Sequence, residues 1–170
     1  MKQVLARSGS VVVEEVPAPM VGPRSVLVRV AFSCVSSGTE ISGVRMSGLP
    51  LYRRALKQPQ NAKKVLQMMR DQGIKRTWDL VNSRLAGGTA LGYSAAGTVI
   101  AVGSEVDAFQ VGDRVACAGA GFANHAELID VPVNLVVRLP DGVDFDAGAT
   151  VTMGAIAMQG VRREIGRAHV

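Results

Sequence analysis

The side chains able to do chemistry in this chain are few, and most of them are hydroxyls. Residues 33–40, Ser33-Cys34-Val35-Ser36-Ser37-Gly38-Thr39-Glu40, put hydroxyls, a thiol and a carboxylate into one short, small-residue stretch that reads as a loop. The only two cysteines, Cys34 and Cys117, lie too far apart for a CxxC metal knuckle and are too few for a disulfide framework. Cys34, Glu40, Cys117 and His125 have the right ligand types for a metal, yet nothing in their spacing requires them to converge. Lone cysteines in β cores are commonly buried small hydrophobes, and His125, beside Phe122-Ala123-Asn124, reads as a structural or surface residue. No G-x-G-x-x-G follows a strand. The nearest glycine cluster, Gly119-Ala120-Gly121, does not open a helix, so no phosphate-cradling turn is expected here.

The elements that must carry these groups are mostly strands. The 170 residues are 48% apolar and 19% charged, with mean hydropathy +0.22, which excludes a disordered chain. No run approaches the length of a membrane span, and no leader is visible, so a reduced, cytoplasmic protein without a membrane partner is expected. Lys2 to Arg7 and Val11 to Val16 flank Ser8-Gly9-Ser10 as a hairpin. Pro17, Pro19, Gly22 and Pro23 then break the chain, and Val26, Val28, Val30 and Phe32 alternate as one half-buried strand. Further strands are expected at Ser94 to Val102, after Val111-Gly112-Asp113, at Ala126 to Val131 and at Leu135 to Leu139. Turn residues recur between them at the spacing of an antiparallel barrel or sandwich. Asp144 or Asp146 is placed to cap a helix from Ala147 to about Val161.

Residues 44–88 are different. They hold ten Lys/Arg and two Asp, a net +8 in a chain whose total is +5. Two or three short helices are expected there: a turn or two over Leu51 to Lys57, one from an Asn61 cap to about Asp71, and one starting near Thr77. They would pack through Val65, Leu66, Met69, Leu80 and Leu85. Tyr52 and Trp78 stand alone among the cations, so nucleic acid is not an expected partner. A lid, an oligomer contact, a site for an acidic substrate, or a solvated cationic face would each suit this composition.

Three stretches in fixed order carry a family resemblance. They are Pro17-Ala18-Pro19 followed by Ser25 to Val30; Gly92-Tyr93-Ser94-Ala95-Ala96-Gly97-Thr98-Val99 leading to Val102-Gly103; and Phe109-Gln110-Val111-Gly112-Asp113-Arg114-Val115. Over about residues 1–160 the chain resembles the GroES-like N-terminal domain of the medium-chain dehydrogenase/reductase family. The resemblance implies a mainly β fold: a GroES-like barrel (1–43 and 89–145), the basic helical insert (44–88), and a C-terminal helix (146–163) leading to an absent Rossmann domain. It also implies an oxidoreductase using NAD or NADP when full length, with no cofactor site in this fragment. Residues 164–170, Glu164-Ile165-Gly166-Arg167-Ala168-His169-Val170, match the reading-frame translation of a common sequencing adapter and are read as a foreign tail.

Where zinc enzymes of the family carry a cysteine before a Gly-Thr/Ser-Asp tripeptide, this chain has Ser37 before Gly38-Thr39-Glu40. Where they carry His-Glu after glycine, it has Tyr93 and Ser94 after Gly92. Neutral hydroxyls are poor zinc ligands, so no residue is assigned to a metal. The resemblance makes Ser37 and Tyr93 candidate donors to a substrate oxygen, with Thr39 beside them as a third catalytic candidate, and Glu40 and Ser94 as substrate-pocket residues. Tyr93 could equally pack its ring in the core, and Glu40 could be a solvated charge. A small-molecule carbonyl, alcohol or activated alkene is the expected substrate. The insert and the missing ligands most resemble a bacterial branch fused to a second oxidoreductase domain and linked to sugar or polysaccharide metabolism. The expected partners are the missing Rossmann domain and a further copy of the full-length protein. The alternatives are a non-enzymatic GroES-like binding module and a zinc-dependent dehydrogenase with unusual ligands.

Overall fold

In the computed structural model the described residues are 1–50, 53, 56, 59–79 and 87–167. Two sheets form the mainly β fold. Strands β1 (Lys2–Arg7), β2 (Ser10–Glu15) and β4 (Thr89–Ala90) make a three-stranded sheet in the order β2-β1-β4. Strands β3 (Ser25–Ser33), β5 (Ser94–Val102), β6 (Arg114–Ala118), β7 (Leu128–Pro132) and β8 (Val136–Arg138) make a five-stranded sheet in the order β7-β3-β5-β6-β8. The helices are α1 (Ser37–Ser47), α2 (Pro59–Gln72), α3 (Phe145–Gly148) and α4 (Val151–Arg167), with helical backbone also over 74–79.

Chain contacts define two units, one of Met1–Val4, Glu14–Ser36 and Leu91–Val170, the other of Leu5–Val13 and Ser37–Ala90. The first holds the core. Val26 and Val28 of β3, Val99 of β5, Val115 of β6 and Val131 of β7 are all fully buried, with Cys117, Ala95 and Ala123 around them. Each buried valine removes enough apolar surface to stabilise the fold by about 1.5–3 kcal/mol. Two shape constraints let β3 and β5 approach. A side chain on Gly97 would run into the carbonyl of Arg29, and one on Gly103 into the carbonyls of Gly22 and Pro23. The turn before β6 closes on Asp113: its carboxylate accepts the Gln110 amide at 2.9 Å and the Arg138 Nε at 3.1 Å, while Arg138 also donates to the Ala108 carbonyl at 2.7 Å. Those charge-assisted bonds hold the Asp113 carboxyl below the usual carboxylate range, the Gln110 amide being the larger cause.

Several expectations need correction. Phe32 does not share the buried face of Val26 and Val28; it is 54% exposed, because the pairing shifts between Val30 and Phe32 and a bulge reverses the alternation. The hydroxyl-rich loop is helical from Ser37 onward. Asn61 lies inside α2, which starts at Pro59, a residue whose fixed φ suits a first helical turn. Gly73, at φ +87°, ends α2 as expected, and the following helix starts at Ile74 ahead of Thr77. The C-terminal helix is broken in two between Gly148 and Val151, and α4 runs on to Arg167. In the insert, Val65 and Met69 are half-buried but Leu66 is 68% exposed. Leu80 and Leu85, and most of the turn expected over 51–57, lie outside the described residues.

Candidate active site

In the first unit, the groups around Tyr93 are assembled from three strands' ends. Gly92 has φ +96°, and a side chain there would collide with the backbone nitrogen and ring of His125. The Gly92 backbone therefore lies flat against His125, which only glycine permits. The His125 amide donates to the Leu91 carbonyl at 2.8 Å, and its Nδ1 pairs with the Ser33 hydroxyl at the end of β3, also at 2.8 Å. Next in sequence, the Cys34 amide donates to the Ser94 carbonyl at 2.9 Å. Tyr93 itself is half-buried, and its carbonyl accepts the Gly119 amide and the Thr152 hydroxyl. Asn124, adjacent to His125, is buried, and its side-chain oxygen has no hydrogen-bond partner among the described protein groups.

Ser94 is placed differently from Tyr93. It is fully buried, its hydroxyl donating to the Ala149 carbonyl at 2.6 Å and accepting the Thr152 amide at 3.3 Å. Those bonds join the start of β5 to the first turn of α4. Ser37, Thr39 and Glu40 fall in the second unit, in the first turn of α1. Ser37 is exposed and, with Ile41, Arg45 and Met46, lines an open cavity of about 880 Å³. Thr39 is exposed, and its carbonyl accepts the Ser42 hydroxyl; Glu40 is half-buried.

The donor set does not suit zinc. Ser37 and Tyr93 offer neutral hydroxyls, and the Ser94 oxygen is already turned to Ala149 and Thr152. Among the described residues no three His, Cys, Asp or Glu side chains gather as a metal site. Cys117 sits in the core, where burial pushes its thiol up to about 12, so it is no thiolate ligand or nucleophile at neutral pH. Among the described residues no glycine-rich turn joins a strand to a helix as a pyrophosphate cradle would.

Ser33, Asn124 and His125 were not among the expected site residues. His125 could be found only by knowing which residue ends β3, because its partner is 92 positions away.

Comparison with known proteins fits this architecture. Residues 66–141 match the family model for the alcohol dehydrogenase GroES-like domain. A quinone oxidoreductase of Pseudomonas aeruginosa is 42% identical over 76 residues, a match covering 45% of this chain and 23% of that protein. A trans-enoyl reductase of Emericella nidulans is 35% identical over 78 residues, covering 39% of this chain and 23% of the other. The solved quinone oxidoreductase of Coxiella burnetii superposes with TM-score 0.65 and 19% identity, over 96% of this chain and 44% of that one, a likeness of fold. The sheet, the Gly92-Tyr93 turn and these matches define a GroES-like domain of the alcohol dehydrogenase type. Over the matched part the chain is similar to members of the medium-chain dehydrogenase/reductase family. It spans less than half the length of these relatives.

Proposed function

We propose that this chain is the substrate-facing, N-terminal part of an NAD(P)-dependent oxidoreductase that works without catalytic zinc. The observation that carries the reading is the chemistry of the Gly92-Tyr93-Ser94 turn, whose Gly92 backbone packs on His125: a phenol and a hydroxyl stand where a metal-dependent member would present ligands. A nicotinamide cofactor, held by a following domain, would supply or accept the hydride. Tyr93 donates a hydrogen bond from its phenol to the substrate oxygen on which negative charge builds. The similarity to a quinone oxidoreductase and a trans-enoyl reductase favours a conjugated carbonyl, that is, an enone or quinone, as substrate. Action on sugar-derived alcohols is the finer alternative within the same chemistry, in a cytoplasmic enzyme.

The test is turnover by the whole protein carrying its nicotinamide-binding domain. NADPH or NADH oxidation with a quinone or enone should persist in metal-free buffer with chelator. Tyr93→Phe should lower kcat by about 10²-fold or more with little change in fold. Stoichiometric zinc, with activity lost on chelation, would overturn the zinc-free reading. Activity on polyols but not on enones would replace the substrate class.

A further inference from the structure

We propose that the basic helical stretch 63–79 is a docking surface for anionic lipid bilayers. This stretch holds three large apolar side chains in solvent: Leu66 at 68%, Ile74 at 73% and Trp78 at 50% exposure. They form one patch. Leu66 and Ile74 line the same open cavity of about 870 Å³ with Met69 and Arg70. Trp78 follows Ile74 by four positions in the helical backbone over 74–79, which puts the two on one face. Thr77 orients that face: it is fully buried, its hydroxyl donating to the Gly73 carbonyl at 2.9 Å, so its neighbours Ile74 and Trp78 are held at the edge and outward.

The charge around the patch is mainly cationic, although Asp71 lines the same cavity beside Arg70. Arg70, Lys75 and Arg76 are all exposed. Over 63–79 the sequence has five Lys/Arg (Lys63, Lys64, Arg70, Lys75, Arg76) against Asp71 and Asp79. The wider segment 44–88 carries +8 and the rest of the chain −3, so an anionic surface attracts this segment and not the remainder. A merely solvated face accounts for the cations but not for a leucine, an isoleucine and an indole among them. A nucleic acid would call for aromatic residues repeated along the groove, and there is one. Leucine and isoleucine for the acyl boundary, tryptophan for the headgroup level and flanking cations are the composition of a helix lying in a bilayer interface. No helix among the described residues is long and apolar enough to cross a membrane, so the contact is peripheral. The expectation of no membrane partner rested on the lack of a spanning run, which has no bearing on a helix lying flat.

Trp78 is the only tryptophan in the chain, so its fluorescence reports from the patch alone. The full chain is mixed with phosphatidylcholine vesicles with and without phosphatidylserine. Phosphatidylserine vesicles should shift Trp78 emission to the blue, shield it from an aqueous quencher and carry the protein down on sedimentation, all reversed by high salt. Arg70→Gln and Lys75→Gln should each weaken partitioning about fivefold. The pair Leu66→Ser and Ile74→Ser should abolish the blue shift, with circular dichroism confirming that the fold is kept. Unchanged emission and no sedimentation of the unaltered chain with phosphatidylserine vesicles would overturn the proposal. So would binding that survives both Gln substitutions within twofold, or a blue shift that follows protein concentration without lipid, which would show the face covered by a second copy.

Discussion

Replacing Ser94 by alanine separates what holds the site from what acts in it. The Ser94 side chain is fully buried, and its hydroxyl serves two backbone groups, the Ala149 carbonyl at 2.6 Å and the Thr152 amide at 3.3 Å. Ala149 is itself buried, so water cannot readily replace the lost donor. Leaving one such backbone group unsatisfied costs about 1–3 kcal/mol, and the longer bond to Thr152 adds the smaller share. A loss of about 2 kcal/mol is the expectation, which for a chain of this size lowers Tm by about 4–8 °C. Paired thermal and urea denaturation of the wild-type and Ser94→Ala chains checks it, with Ser104→Ala, an exposed turn serine, as the control that should not move. Hydrogen exchange should rise first at the amides of the initial turn of α4. A Ser94→Ala chain as stable as the control would refute the reasoning. A large effect on substrate KM in the whole enzyme with unchanged Tm would instead return Ser94 to the pocket.

Three further outcomes follow from the same structure. Asp113→Asn should destabilise the chain by about 1 kcal/mol at neutral pH, because the bonds from Gln110 and Arg138 lose their charge assistance. The folded-state pKa of Asp113 is depressed, so its contribution is full above the unfolded value of about 3.9 and is lost as pH falls through the lower folded value; urea titrations below about pH 4 should show a flatter pH dependence in the variant. Gly97→Ala should cost about 3 kcal/mol or more in a urea titration, its methyl meeting the Arg29 carbonyl, whereas Gly154→Ala in α4, with open space around it, should gain about 0.5–1 kcal/mol. An aromatic disulfide reagent should label Cys34, which is partly exposed, well before Cys117, whose buried thiol should react only on unfolding.

What was legible in the sequence is what short-range patterning controls. β1, β3 and β5 were readable because β-branched alternation, proline breaks and glycines act within a few residues, and the Asp113 turn because its bonds are local. α1 was hidden for a physical reason: it has no buried residue, so no apolar period marks it, and its serines and glycines read as a loop. The bulge at Ala31 depends on where β5 pairs with β3, and Phe32 alone cannot announce it. The Ser33–His125 pair has the same origin, since it exists only once β3 has its register and the 122–126 segment has folded back beside Gly92.

The two residues after Gly92 therefore do opposite things, although a motif comparison treats them as one site. Alternation along an extended backbone turns neighbouring side chains to opposite faces. Ser94 faces inward to the turn between α3 and α4, while Tyr93 stays partly open to solvent. The backbone of Tyr93 is nevertheless tied to the same helix, because the Thr152 hydroxyl donates to its carbonyl at 3.3 Å and the Gly119 amide does so at 2.9 Å. The first turn of α4 thus grips both residues, one by its side chain and one by its main chain. The Tyr93 main chain is tied on its carbonyl side, and the phenol keeps its own two side-chain torsions, the preorganisation that the proposed donor role would need. Packing of α4 therefore bears on where the Tyr93 main chain sits, through the Thr152 hydroxyl, as well as on Ser94.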